Sequence, residues 1–271
     1  MFDGEPKGLY KLLWREFREL GGMMTLPLEG RLALVTGSAW GIGRATALGL
    51  ADAGADVVIN YRTSEKAALE VVDAIRRKGR QSIAVQANVA EPAQVDLLFE
   101  RAQQELGTID VLVNNVGAFL LKPLAETTFA EWTSIITSNL HTTFLCSKAA
   151  LPGMRAQKWG RIINISFAPA DKIASAKRVC PYQIAKTGVL ILTKTLAAEE
   201  VKNGITVNSA GPGFVDTGRI TEEFRQQMLK LSPLGRLITP EEVARAVFFL
   251  ASPESVGITG THVTVAGGGQ V

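Results

Sequence analysis

The chain has 271 residues, of which 46% are hydrophobic, and its formal net charge at neutral pH is +3. This length and composition fit one sizeable α/β domain with a large buried core. The small charge, the lack of a long Lys/Arg run and the lack of a bilayer-length apolar stretch argue against nucleic-acid and membrane partners.

Residues 1–27 are predicted to form a helical extension ahead of a single domain over residues 28–271. Leu9, Leu13 and Phe17 recur near helical spacing, and the Gly21–Gly22 pair would end such a helix. An arm packed on its own domain or on a sister subunit is favoured over a helix that docks on a partner or a membrane. The charged residues of this segment interrupt the apolar core that a secretion signal needs, so no secretion signal is expected.

From Arg31 onward, short β-branched runs alternate with amphipathic helices. Seven runs predict strands: LALVTG (32–37), DVVIN (56–60), SIAVQAN (82–88), VLVNN (111–115), RIINIS (161–166), ITVNSA (205–210) and HVTV (262–265). Ser64 is expected to cap a helix ending at Gly79, and capping boxes are expected at Thr128 and Thr239. This alternation predicts an α/β fold with a doubly wound, seven-stranded parallel sheet and ligands at its carboxyl edge.

The first strand ends in the sequence TGSAWGIG, residues 36–43. Gly37 would allow a tight turn, Gly41 would let the backbone approach a pyrophosphate, and Gly43 would let the next helix pack closely. Because the loop follows the first strand and opens a helix, it predicts a dinucleotide site. The loop residues assigned to this site are Gly37, Ser38, Trp40, Gly41, Ile42 and Gly43.

The end of the second strand indicates which dinucleotide would bind. The sequence Tyr61-Arg62-Thr63 carries no acid before Glu65, whereas an NAD site usually has a carboxylate here for the ribose hydroxyls. Arg62 instead offers a planar, permanently charged group for a 2′-phosphate. We therefore expect NADP(H), with Tyr61, Arg62 and Thr63 at its adenosine end; the alternative is a solvated surface arginine.

Four motifs stand in the order and spacing of the short-chain dehydrogenase/reductase family: TGSAWGIG, NNVG (114–117), the Tyr182/Lys186 pair and GPG (211–213). The chain resembles this family from Leu28 to its end, and within it is similar to 3-oxoacyl-acyl-carrier-protein reductases and glucose dehydrogenases. The resemblance implies a Rossmann-type fold and a homotetramer or homodimer. It also implies cofactor contacts in three groups: Asn88 and Val89 at the adenine, Asn115 and Gly117 at the ribose, and Pro212, Gly213 and Val215 at the nicotinamide.

Tyr182 and Lys186 lie at i and i+4 of a helix that starts near Pro181, so they share a face. A neighbouring ammonium favours the phenolate, which would make Tyr182 a proton donor and acceptor near neutral pH. The resemblance adds Lys186 as a ligand of the nicotinamide ribose and Asn139 as the anchor of a proton-relaying water. Tyr182, Lys186 and Asn139 are therefore the expected catalytic residues; a polar residue that caps or kinks its own helix is the alternative for Asn139.

Phe167 departs from the family, whose members usually have a serine there that hydrogen-bonds the substrate carbonyl. Ser166 points to the other side of the strand, so Asp171, Lys172 or Ser175 in the following loop are candidates to rebuild the site. Three functions remain open: a carbonyl or alcohol oxidoreductase, a pteridine-type C=N reductase, and an NADP(H)-binding regulator with little turnover.

The segment 214–234 is expected to form a lid over an apolar substrate pocket, with a plain surface helix as the alternative. It contains Phe224, Met228, Leu229 and Leu231. Cys146 and Cys180 are too few for a disulfide framework and lack metal-ligand spacing, so no metal and a reducing cytoplasm are expected. A small molecule is the expected partner.

Overall fold

The computed structural model describes residues 26–269 except Ala176, so the predicted extension lies outside the described residues up to position 25. The described chain forms a seven-stranded sheet in which every neighbouring pair is parallel, in the order β3-β2-β1-β4-β5-β6-β7. The strands are Leu32–Val35 (β1), Asp56–Tyr61 (β2), Ser82–Gln86 (β3), Val111–Asn114 (β4), Gly160–Ile165 (β5), Ile205–Pro212 (β6) and His262–Val265 (β7). The predicted sheet and fold class are confirmed.

Helices cover both faces of the sheet. The described α-helices are Gly41–Asp52 (α1), Glu65–Arg76 (α2), Pro92–Glu105 (α3), Phe129–Ile136 (α4), Thr142–Ala156 (α5), Cys180–Glu200 (α6), Glu222–Lys230 (α7) and Pro240–Ala251 (α8). The order of the strands reverses between β1 and β4, which leaves a crevice at the carboxyl ends of these strands.

Alternate residues of the central strands supply two separate apolar cores. Val57 and Ile59 of β2 pack with α1, α2 and α8, whereas Val58 between them packs with α3, α5 and α6. These three side chains are fully buried. Each such side chain contributes about 1.5–3 kcal/mol of burial free energy, which makes the sheet a rigid platform for the loops at its edge.

The helix starts follow local chemistry, with one exception. Thr128 and Thr239 both accept a hydrogen bond from the third residue of their helix, whose glutamate side chain bonds back, so both capping boxes are confirmed. Ser64 precedes α2 but its side chain makes no cap hydrogen bond, and the helix ends at Arg76 rather than at Gly79. The capping prediction for Ser64 is therefore wrong, because its backbone (φ −101°, ψ 58°) is not in the extended conformation usual for an N-cap.

A π-helical turn, Thr137–His141, interrupts the long helix that carries Asn139. It joins α4 to α5 without ending the helix, and Asn139 is its buried residue. Single π-helical turns inside α-helices are frequently found at functional sites.

Candidate active site

The glycine loop after β1 has the conformation that an anion site needs. Gly37 (φ +61°) and Gly41 (φ +52°) lie in the left-handed region. A Cβ on Gly43 would lie 2.6 Å from the carbonyl oxygen of Gly37, so the start of α1 packs directly on the turn. This backbone fits a pyrophosphate at the amino end of α1.

Two polar residues that the sequence reading missed hold this loop. The Asn60 side chain accepts a hydrogen bond from the Gly37 amide (3.2 Å) and donates to the carbonyl oxygen of Ala87 (3.1 Å), which ties the loop to β3. The Thr36 hydroxyl oxygen accepts a hydrogen bond from the backbone amide of Asn115 at 2.9 Å. A polar residue at the end of an apolar strand is the signal that could have identified Asn60 and Thr36.

Several residues assigned to the cofactor site lie elsewhere or serve the scaffold. Ser38 is fully buried, and its hydroxyl donates to the Val35 carbonyl oxygen at 2.8 Å, so it faces the core rather than the groove. Tyr61 is also buried in the core, where burial and the nearby Glu65 raise its pKa. Both side chains therefore face the protein interior, and the assignment of the two residues to the cofactor site stays a prediction.

The adenosine end of the expected site lies at the ends of β2 and β3. Arg62 and Thr63 are exposed there, and Val89 is buried. Asn88 is half-buried; its side-chain oxygen accepts from the Ala90 amide at 3.3 Å, and its own amide donates to Gln94. Arg62 forms no ion pair within residues 26–269, so its charge is available to an anion.

A cavity of about 580 Å³ opens beside the glycine loop. Residues from the glycine loop, the β4 end, the β5 end, α6 and the segment after β6 meet in it. They are Trp40, Gly41, Ile42, Asn115, Gly117, Phe119, Leu121, Ile165, Ser166, Phe167, Val179, Tyr182, Lys186, Pro212, Gly213, Phe214, Val215, Thr217, Ile220, Phe224, Met228 and Leu237. Lys186 is the one charged residue in this lining, so the cavity suits a mostly neutral, apolar substrate.

Tyr182 and Lys186 both line this cavity, as expected. Lys186 is 4% exposed, and its ammonium donates to the Ile165 carbonyl oxygen at 2.6 Å. The Asn139 amide nitrogen donates to the carbonyl oxygens of Ala118 and Ile135, both at 2.9 Å, while its buried oxygen has no partner within the described residues. That oxygen and the Lys186 ammonium border the same space beside Gly117, where a Cβ would lie 3.2 Å from Lys186 Nζ.

The protonation of the pair differs from the expectation. Burial lowers the pKa of Lys186 to about 7, so the charge that was expected to favour the phenolate is itself only partly present at neutral pH. Burial also raises the pKa of Tyr182, and the Lys186 ammonium lies 5.8 Å from the centre of the Tyr182 ring. In this structure Tyr182 is therefore a neutral phenol, and the expected acidification by Lys186 is absent.

Phe167 lines the cavity beside Tyr182. Its ring centroid lies 5.4 Å from that of Tyr182 in an edge-on arrangement, and Phe119 contacts Tyr182 in the same way at 5.1 Å. The Ser166 hydroxyl is directed to the Lys186 carbonyl oxygen at 3.4 Å. Ser166 thus does not replace the missing donor.

The loop after Phe167 does not rebuild the site either. Asp171, Lys172 and Ser175 are exposed and do not line the cavity, because the chain turns outward after a short 3₁₀ turn at Ala168–Asp171. The expectation that one of these three residues supplies a donor is wrong.

The lid prediction holds in part. Phe224 and Met228 of α7 line the cavity, and Phe224 lies 6.4 Å from Phe119 between ring centroids. Leu229 is outside the lining, and Leu231 is 61% exposed. One face of α7 therefore covers the cavity while the next turn of chain faces solvent.

The part of the chain that the structure describes contains no cluster of three or more metal-binding side chains. Its helices also include none with the length and hydropathy that a bilayer crossing needs. Burial raises the pKa of the Cys146 thiol to about 12, which leaves this cysteine unreactive.

Comparisons with known proteins agree with this fold. The family model described as enoyl-(acyl carrier protein) reductase matches residues 37–270. A 3-oxoacyl-(acyl-carrier-protein) reductase of Synechocystis is 43% identical over 242 residues, which cover 89% of this chain and 97% of the relative. The corresponding reductase of Vibrio cholerae is 39% identical over 244 residues, with 89% and 98% covered.

Solved structures show the same similarity. A protein assigned as a gluconate dehydrogenase from Agrobacterium tumefaciens superposes with a TM-score of 0.83 at 33% identity, covering 90% of this chain and 98% of its own. A protein assigned as a short-chain alcohol dehydrogenase from Sinorhizobium meliloti also has a TM-score of 0.83, at 31% identity with the same coverage. The fold and the site define an oxidoreductase with a dinucleotide-type glycine loop. The chain belongs to the short-chain dehydrogenase/reductase family.

Proposed function

We propose that this protein is an NADP(H)-dependent oxidoreductase that interconverts a carbonyl and an alcohol, with Tyr182 as general acid and base. The observation that carries the proposal is that Tyr182 and Lys186 share one cavity with Gly41 of the glycine loop and with Pro212 to Val215. An acid–base group and a dinucleotide cradle thus open onto the same space.

In the proposed reaction the cofactor handles the hydride and the residues of the cavity handle the proton. A bound nicotinamide supplies or accepts the hydride. Tyr182, a neutral phenol in this site, donates its proton to the substrate oxygen during reduction and takes it back during oxidation. Lys186, with a pKa near 7, exchanges a proton at physiological pH and restores the phenol. The unpartnered oxygen of Asn139 is placed to accept a hydrogen bond from Lys186 or from a water beside it.

The choice of NADP(H) rests on Arg62. Arg62 is exposed just after β2 and forms no ion pair within the described residues. The next acid along the chain, Glu65, lies near Tyr61, whose pKa it helps to raise. A bidentate arginine–phosphate contact recognises a 2′-phosphate that NADH lacks. Arg62→Ala should lower the affinity for NADPH by about tenfold or more and leave the affinity for NADH within about twofold of the wild type. Equal losses for both dinucleotides would contradict the assignment.

The substrate is proposed to be an apolar carbonyl compound. The relatives' names point to 3-oxoacyl thioesters and to sugar acids, and the cavity lining of Phe119, Phe167, Phe224 and Met228 suits an acyl chain better than a polyol. The test is NADPH oxidation by the purified protein with acetoacetyl thioesters, simple ketones, gluconate (in the reverse direction with NADP⁺) and pteridines. Turnover of the first two classes supports the proposal.

Phe167 favours a second candidate, a dinucleotide-binding regulator with little turnover. A phenyl ring cannot donate the hydrogen bond that polarises a carbonyl, and losing one preorganised donor costs about 10²–10³ in rate. Tight NADPH binding with no turnover of any substrate class would support this candidate, whereas selective turnover of pteridines would support the C=N reductase. The intact Tyr182, Lys186 and Asn139 favour the enzyme.

We also propose a homotetramer or homodimer. Phe144 of α5 and Ile184 and Ile191 of α6 are 47%, 48% and 63% exposed, which leaves apolar side chains on the two helices that lead into the site. Association through these helices would cover them. Light scattering of the full chain measures the solution mass directly, and a monomer would contradict the proposal.

A further inference from the structure

Arg219 lies outside the four family motifs, in the segment between β6 and α7. Its guanidinium carbon is 4.0 Å from the centre of the Trp40 ring, which is the distance of a stacked cation–π contact. Trp40 is the residue immediately before α1, and its side chain is 41% exposed. The contact therefore joins the lid segment to the glycine loop.

A second contact shows that the lid segment lies on this loop at more than one point. A Cβ placed on Gly41 would lie 3.3 Å from Thr217 Cγ2, so Thr217 covers the backbone of the glycine loop directly. Asp216 fixes the segment in turn: its amide donates to the Ile238 carbonyl oxygen at 2.9 Å, and its carboxylate pairs with Arg225 of α7. Arg219 is thus held next to the amino end of α1 by its surroundings.

The charge of Arg219 has no protein counterpart in residues 26–269. No ion pair includes it, and no carboxylate lines the neighbouring cavity. Stacking on Trp40 uses the face of the guanidinium and leaves the N–H groups on its edge free to donate. Arg219 is exposed, and a cation stacked beside the amides of a helix start is suited to a diphosphate.

We propose that Arg219, positioned by Trp40, binds the pyrophosphate of the dinucleotide and so closes the lid segment over the cofactor. This inference rests on the proposed function only in requiring that a dinucleotide binds. The pyrophosphate is chosen over the 2′-phosphate because Thr217 covers Gly41, where the backbone approaches the pyrophosphate, whereas Arg62 follows a different strand.

The test is a pair of fluorescence titrations, with NADPH and with NADH, on the full-length protein. Both dinucleotides contain the pyrophosphate, so Arg219→Ala should lower the affinity for each by about tenfold. This is the effect of losing one charge-assisted hydrogen bond. Lys230→Ala is the matched control, because it removes an exposed cation at the end of the same lid segment and should change both affinities less than about twofold.

A double-mutant cycle then tests the role of Trp40. Because Trp40 acts by holding Arg219, Trp40→Leu should lower the affinity for both dinucleotides. The double variant Trp40→Leu, Arg219→Ala should bind them only slightly more weakly than Arg219→Ala alone. Additive losses, an unchanged affinity of Arg219→Ala, or a loss confined to NADPH would each overturn the inference while leaving the proposed oxidoreductase intact. A wild-type protein that binds neither dinucleotide would instead overturn the proposed function.

Discussion

Replacing Phe167 by serine tests whether the site lacks only a hydrogen-bond donor. Phe167 lines the cavity in an extended backbone conformation (φ −149°, ψ 159°), which serine adopts without strain. A serine hydroxyl on the same Cβ would face the cavity beside Tyr182. Phe167→Ala is the matched comparison, because it removes the same ring and adds no donor.

The expected magnitude follows from the difference between these two variants. Both lose the edge-on contact with Tyr182, worth about 0.5–1.5 kcal/mol, so that loss cancels between them. A fully preorganised donor contributes about 2.7–4 kcal/mol to transition-state stabilisation. Because no neighbouring group orients a serine at this position, we expect about half of this free energy, about 1.4–2 kcal/mol, so kcat for ketone reduction by Phe167→Ser should exceed that of Phe167→Ala by about 10- to 30-fold.

The assay is steady-state NADPH oxidation with a small ketone, and Phe167→Ser should also exceed the wild type. Unchanged NADPH affinity in both variants would show that the cofactor site is intact. Equal kcat values for the serine and alanine variants would refute the reasoning. A fall of both below the wild type would mean that the phenyl ring itself holds the substrate or Tyr182 in place.

Two further predictions concern the loop and the lysine. Gly43→Ala should lower dinucleotide affinity at least about tenfold and reduce stability by about 1–3 kcal/mol, because the new Cβ would meet the Gly37 carbonyl oxygen at 2.6 Å. Gly49→Ala on the same helix meets only Ala244 at 3.9 Å and should be neutral or stabilising in thermal unfolding; similar losses for both variants would contradict the packing argument. Lys186 has a folded-state pKa of about 7, below its unfolded value, so the unfolded chain binds the extra proton above pH 7 and wild-type stability should rise with pH in that range. Relative to Lys186→Met, the wild type should therefore gain about 2.5 kcal/mol between pH 7.5 and 9.5 in denaturant unfolding, and a constant difference would contradict the depressed pKa.

The sequence was sufficient for the fold because each strand is a short apolar run and each helix has one apolar face. Val57, Val58 and Ile59 belong to two different cores, yet all three are apolar, as a strand buried on both faces requires. The position of Ser64 shows the limit of this reading. A residue type favoured at helix caps does not cap unless its backbone is extended, and that conformation depends on the loop before it.

The position of a site residue was predictable from the sequence where spacing along one helix determines which side chains share a face. Tyr182 and Lys186 share a face of α6, so their i, i+4 spacing placed them together. Their protonation was not predictable in this way, because it depends on burial by residues distant in sequence, such as Phe119 and Ile165. Helix spacing alone therefore predicted a full positive charge on Lys186, which burial leaves only partly present at neutral pH.

Contacts between distant segments explain most of what the sequence did not indicate. Arg219 and Trp40 have no shared motif and meet only because the segment after β6 folds back on the loop after β1. Asp171 and Lys172 were expected to supply a hydrogen-bond donor because they are near Phe167 in sequence. That expectation was wrong, because the chain turns away from the cavity after Phe167.

In the proposed reaction the Tyr182 hydroxyl transfers the proton to and from the substrate oxygen in the cavity beside the glycine loop. Tyr182→Phe removes that hydroxyl alone and keeps the ring that packs between Phe119 and Phe167. The most direct measurement is therefore kcat for NADPH-dependent ketone reduction by Tyr182→Phe, with NADPH affinity measured on the same sample. We expect a loss of at least about 100-fold in kcat with NADPH affinity within about threefold of the wild type. Turnover close to the wild-type value, with NADPH bound normally, would contradict it.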